Sequence, residues 1–115
     1  MGDALITWLE NEEYMVEYCS SIDLHEDPGM LDHYGLFLSV GHSEYWTRDM
    51  RNHLDGFVAN GGNLAIFGAN TCWWQIRLEE DSRTLVCYKD RELDPLYGVT
   101  DELVTVNWYD DPLFW

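Results

Sequence analysis

Between residues 35 and 68 the chain sets one helical stripe between two apolar runs, and that order leaves few folds open. Gly35-Leu36-Phe37-Leu38-Ser39-Val40-Gly41 is a nearly continuous apolar run bounded by glycines, the pattern of a parallel strand buried on both faces. Trp46, Met50, Leu54, Phe57 and Val58 then recur at spacings of four, four, three and one, which puts them on one face of a helix over 47–59. Thr47 can cap its start and Asn60-Gly61-Gly62 stops it. Asn63-Leu64-Ala65-Ile66-Phe67-Gly68 repeats the strand pattern at once. Strand, helix and strand joined this tightly form a crossover unit, so strands 36–40 and 63–68 are expected to be adjacent, parallel and buried, with a right-handed connection.

The flanks carry weaker patterns. Asp3 can cap a short helix ending near Asn11, because Leu5, Trp8 and Leu9 share a face. Tyr14 to Cys19 reads as an edge strand, Ser20 to Gly29 as turn chemistry, and Leu31 to Tyr34 as a short turn. Trp74 to Glu79 and Thr84 to Tyr88 alternate around Glu80-Asp81-Ser82-Arg83, which predicts a hairpin. The tail from Asp90 reads as irregular, with one strand over 103–106. At 115 residues and 46% apolar composition the chain is one domain's worth of core. Its opening on a helix and its ending on Leu113-Phe114-Trp115 lead us to expect a partial domain over 1–115, to which a larger polypeptide would add further sequence.

Charge sets limits on partners. Twenty-two acidic residues face six basic ones, for a formal net charge of −16, which argues against nucleic acid and against anionic membrane surfaces. The acid excess fits a salt-adapted surface, a partner-facing surface or compositional drift. No run reaches the length of a membrane span and the first residues lack a signal-peptide pattern. Cys19, Cys72 and Cys87 are odd in number and lack metal-site spacing, so free thiols in a reducing, cytoplasmic setting are expected.

In an open α/β sheet, chemistry gathers in the loops at the carboxyl ends of the strands. Two loops qualify here, Gly41-His42-Ser43-Glu44-Tyr45-Trp46-Thr47 and Gly68-Ala69-Asn70-Thr71-Cys72-Trp73-Trp74. His42 can serve as a general base or be satisfied by backbone. Glu44 can assist proton transfer or simply favour a helix amino terminus. Asn70 can line a pocket, since it both donates and accepts. Tyr45 is either an aromatic at a helix start or a phenolate ligand. His25 and His33 read as solvent or turn residues, and His53 lies off the apolar helical face. Cys72 follows a strand, where a thiol nucleophile would stand, but no histidine comes after it in the sequence, and a structural cysteine is the plainer reading.

The string Gly-His-Ser-Glu-Tyr-Trp, then Gly-Gly-Asn-Leu-Ala and Gly-Ala-Asn-Thr-Cys-Trp-Trp-Gln-Ile-Arg, resembles the C-terminal domain of the N,N-dimethylformamidase large subunit. The likeness runs from Trp8-Leu9-Glu10 through Ile22-Asp23-Leu24-His25 to Val86-Cys87-Tyr88-Lys89. It implies a glutamine-amidotransferase-like, flavodoxin-like three-layer α/β sandwich with a mostly parallel sheet. It also implies amide hydrolysis at a mononuclear iron held by two tyrosines and a glutamate. Tyr45 matches the tyrosine of the Gly-His-x-Glu-Tyr motif. Ala4 stands where the second tyrosine belongs, and the glutamate ligand would lie downstream.

Three readings follow. In the first, Tyr45 binds iron, His42, Glu44 and Asn70 serve catalysis, and a small amide is the substrate, with activity weak or absent in this chain alone. In the second, the domain is a non-catalytic module for binding or subunit docking, working as a homo-oligomer or as part of a larger polypeptide. The third, a thiol-dependent amidotransferase, depends on Cys72.

Overall fold

The computed structural model describes residues 2–110. Within them lie helices α1 (Gly2–Asn11), α2 (Ser21–Glu26) and α3 (Arg48–Ala59), strands β1 (Leu36–Val40), β2 (Tyr45–Thr47), β3 (Asn63–Phe67), β4 (Trp74–Glu79) and β5 (Thr84–Val86), and three short 3-10 turns. The expected crossover is present: β1 pairs with β3 in parallel, Leu36 opposite Asn63 and Val40 opposite Phe67. The hairpin is present as well, with β4 antiparallel to β5. The result is a small α/β fold with a two-stranded sheet and a three-stranded one.

Strand β2 was not expected. It pairs in parallel with β4, Tyr45 opposite Trp74. The extended chain of β1 therefore continues into β2, and that of β3 into β4, so that the two arms run side by side twice. Partner numbers differ by 27 across the first pair and by 29 across the second. The β3–β4 arm thus carries two extra residues between pairings, which it accommodates in the loop 68–73. Asn70 and Cys72, both at positive φ (54° and 55°), lie in that loop, as expected where surplus chain must bulge out.

Helix α3 begins where Thr47 accepts a hydrogen bond from the Met50 N–H at 3.1 Å, and it ends in a turn closed by Gly61 at φ 96°. Met50 and Leu54 are 2% exposed and Phe57 packs against the same cluster, but Val58 is 45% exposed. Val58 lies at the edge of the stripe, beyond the reach of the sheet. The core gathers Leu24, Leu31, Trp46, Met50, Leu54 and Trp108. The strands are not buried on both faces as expected: Leu64, Ile66 and Phe67 of β3 are exposed.

Other expectations need correction. Residues 21–26 form a helix, not a turn, because Ser20 and Asp23 make a reciprocal capping box, the Ser20 N–H donating to the Asp23 carboxylate at 2.7 Å. Ser and Asp start helices as readily as they make turns. Tyr14 to Cys19 is irregular and no strand pairs with it. Residues 103–106 are not a strand, although Gln75 donates to Val106 O at 2.9 Å and Trp108 to Trp73 O at 3.0 Å. That stretch runs along β4 and carries Val104, Thr105 and Trp108 into the interior.

Candidate active site

The loops after β1 and β3 meet because their backbones bond directly. Gly41 N–H donates to Phe67 O at 2.9 Å, Cys72 N–H to Ser43 O at 2.9 Å, and Trp73 and Trp74 N–H to Glu44 O at 2.9 and 3.0 Å. The approach is so close that a Cβ on Gly68 would overlap the Gly41 carbonyl oxygen, so glycine is required there. The two loops are not the outer edge of a sheet. They are a gap in a parallel pair that resumes at Tyr45 and Trp74.

Four side chains collect at this gap. His42 Nε2 lies 2.8 Å from a Glu44 carboxylate oxygen, with His42 more than half exposed and Glu44 mostly covered. An ionised carboxylate only accepts, so the proton sits on Nε2 and the lone pair of the neutral ring on Nδ1. Lys89, the sole lysine, donates from Nζ to the Tyr45 phenol oxygen at 3.0 Å and lies over the rings of Tyr45 and Trp74 at 5.2 and 5.0 Å. The hydrogen bond to Tyr45 holds the Lys89 ammonium above its ordinary pKa, and the nearby Glu44 carboxylate adds to the effect. Backbone bonds fix Lys89: its N–H donates to Thr105 O at 3.1 Å, and the Tyr88 N–H to Thr105 Oγ1 at 2.8 Å.

Sequence reasoning missed Lys89. Its rarity was the available signal, but its place beside Tyr45 depends on the return of the hairpin. Asn70 sits in the neighbouring loop, exposed, and among the described residues its side chain makes no hydrogen bond. Two cavities, of about 370 and 850 Å³, lie elsewhere, and neither is lined by His42, Glu44, Tyr45, Asn70 or Lys89. The polar cluster lies outside both, with His42, Tyr45, Asn70 and Lys89 exposed.

Two of the remaining histidines are structural, while His33 is exposed in the 3-10 turn Met30–His33, as expected. His25, expected in solvent or a turn, is half-buried, with Nδ1 2.8 Å from Thr47 Oγ1, and His53 Nδ1 lies 2.7 Å from Leu24 O. Together they tie α2 to α3. Burial pushes the Cys72 thiol up to about 11, against a lowering influence from Arg51, and no histidine is bonded to it among the described residues. A neutral thiol without a base is a poor nucleophile.

A family model described as N,N-dimethylformamidase beta subunit-like, C-terminal, matches residues 3–113. The chain belongs to this family. No curated protein matches it. The iron implied by resemblance to the formamidases does not fit the donors present. Among the described residues no three His, Cys, Asp or Glu side chains gather to hold a metal. The Tyr45 oxygen already faces an ammonium, so a cation there would have to displace Lys89 or accept its repulsion.

Proposed function

We propose that this domain supplies the acid–base face of an amide-hydrolysing site of the formamidase type, and that alone it holds iron weakly and turns over little substrate. The observation that carries this reading is the convergence of His42–Glu44 and Lys89–Tyr45 on one gap in the sheet. Glu44 would orient His42 so that Nδ1 takes a proton from water, and Lys89 would present a fixed positive charge to the oxygen that becomes negative as an amide carbonyl is attacked. Asn70, on the facing loop, would hold the amide. Tyr45 positions the ammonium, and would serve as a metal ligand only if further donors and a displaced Lys89 accompanied it.

An open surface does not exclude water, which such electrostatic assistance requires. We therefore also infer that the domain works inside a larger polypeptide or assembly, in a reducing cytoplasmic setting, where added elements complete a glutamine-amidotransferase-like sandwich. The test is to titrate N,N-dimethylformamide and formate into the 115-residue chain, follow the backbone amides by NMR, and assay bound iron and hydrolysis. Shifts confined to 41–45, 68–74 and 88–89, with substoichiometric iron, are expected. Shifts elsewhere would remove the site, and stoichiometric iron with turnover that disappears in Tyr45→Phe would overturn the reading of the donor set.

A further inference from the structure

Lys89 stands in a conformation that lysine seldom adopts. Its φ is 62°, in the left-handed region where a Cβ crowds the following backbone, and such a residue persists only where its neighbours over-determine it. Relaxing φ to the ordinary negative range would redirect the Cα–Cβ bond, and with it the stem that carries the ammonium to Tyr45.

Thr105 supplies the restraint. Its carbonyl accepts the Lys89 N–H at 3.1 Å and its hydroxyl oxygen accepts the Tyr88 N–H at 2.8 Å. Thr105 is 0% exposed, so its end of both bonds is shielded from water. The hydroxyl has one orientation open to it. An ionised carboxylate only accepts, so at 2.8 Å from Asp94 Oδ2 the Thr105 hydroxyl must donate, which leaves its lone pairs to Tyr88. The Thr105 N–H donates to the same oxygen at 2.8 Å, and Arg77 Nη1 at 2.7 Å. Arg77 lies on β4, as does Trp74 beneath the ammonium. One strand thus holds both ends of a chain of contacts that runs from a buried ion pair, through Thr105, to Lys89.

We infer that Arg77, Asp94 and Thr105 are positioning residues for Lys89: their bonds hold residues 88–89 in the backbone conformation that sets the ammonium on Tyr45. The inference deepens the proposed function, and rests on it for what the ammonium does there. Electrostatic assistance needs a charge already in place before reaction, and a lysine on a flexible stem loses that advantage once its backbone is free.

The test reads Lys89 directly, because it is the sole lysine and a chain grown on isotopically labelled lysine gives one set of side-chain NMR signals. In the parent chain the methylene protons next to Nζ should be shifted upfield by the Tyr45 and Trp74 rings and show Overhauser contacts to Tyr45. Thr105→Val keeps the shape and removes the hydroxyl. It should move these signals at least about halfway to free-lysine values, erase the contacts and speed exchange of the Tyr88 amide at least about tenfold, whereas Thr105→Ser should preserve all three. Leu54→Ala, which loosens the core away from these contacts, should leave the Lys89 signals in place. Parent-like Lys89 signals in folded Thr105→Val, or an equal displacement in Leu54→Ala, would overturn the inference. Should Thr105→Val not fold, the parent chain and Thr105→Ser decide: slow exchange at Tyr88 with shifted methylenes in both sustains it, and exchange as fast as in an unstructured peptide, or methylenes at free-lysine values, overturns it. No readout here uses substrate or iron, so failure of the positioning and failure of hydrolysis are told apart.

Discussion

The Lys89 ammonium and the Tyr45 phenol oxygen, 3.0 Å apart across 44 residues of sequence, make the candidate site cationic where the family resemblance alone would put a metal. Lys89 reaches Tyr45 because β5 returns the chain past β4 and Thr105 pins the backbone there. In the proposed reading, that positive charge and the imidazole held by Glu44 would together favour an anionic transition state.

On the proposed reading Cys72 takes no part in the chemistry. With its thiol near 11, the thiolate fraction at pH 7.5 is about a hundredfold smaller than for a thiol at its ordinary value. Peptide mapping after brief iodoacetamide treatment should find Cys72 modified far more slowly than the exposed Cys19. Preferential labelling of Cys72, with loss of any hydrolysis, would restore the thiol mechanism.

Leu54 tests the packing of α3. It is 2% exposed at the centre of the core cluster, so Leu54→Ala should lower stability by about 2–5 kcal/mol through lost burial and a residual cavity. Val58→Ala, on the same helix but 45% exposed, should cost less than about 1 kcal/mol. Urea midpoints of the two variants compare them directly, and equal costs would mean that α3 faces the sheet differently.

The crossover was legible because its information is local: a strand-length apolar run, a helical period and a glycine stop each speak within a dozen residues. Helix α2 was hidden by the double meaning of Ser20 and Asp23. Strand β2 is three residues long, too short to show alternation. Trp108 and Thr105 are buried without belonging to any periodic element, so no pattern announces them. The same holds for the site. The candidates His42, Glu44, Tyr45 and Asn70 stand out by their position after apolar runs, whereas the contact of Lys89 with Tyr45 and the pairing of the buried Asp94 with Arg77 depend on long-range returns of the chain.

Asp94 gives the last prediction. It is 3% exposed, and its carboxylate receives Arg77 Nη1 at 2.7 Å, the Thr105 N–H and hydroxyl at 2.8 Å each, and the Leu96 N–H at 3.0 Å. Burial alone would raise this carboxyl, but Arg77 and the Thr105 and Leu96 donors outweigh it and hold the pKa at about 2. An unfolded aspartate titrates near about 3.9. The native value is the lower one, so the group's stabilisation is fully present above about pH 4 and is lost as pH falls through about 2. Its size is on the order of 2 kcal/mol. Asp94→Asn removes the charge that balances the largely buried Arg77 and turns one acceptor into a donor, which in its better orientation faces the Leu96 N–H, and should cost about 3–5 kcal/mol at pH 7. Other carboxylates also titrate between pH 4 and 2, and relief of their mutual repulsion works the opposite way, so the informative quantity is the gap between wild type and variant. Urea denaturation at pH 7, 4 and 2 should show that gap constant down to about pH 4 and then narrowing by on the order of 2 kcal/mol. A gap of the same size at pH 7 and pH 2 would mean that Asp94 does not carry its charge against Arg77 in the folded chain.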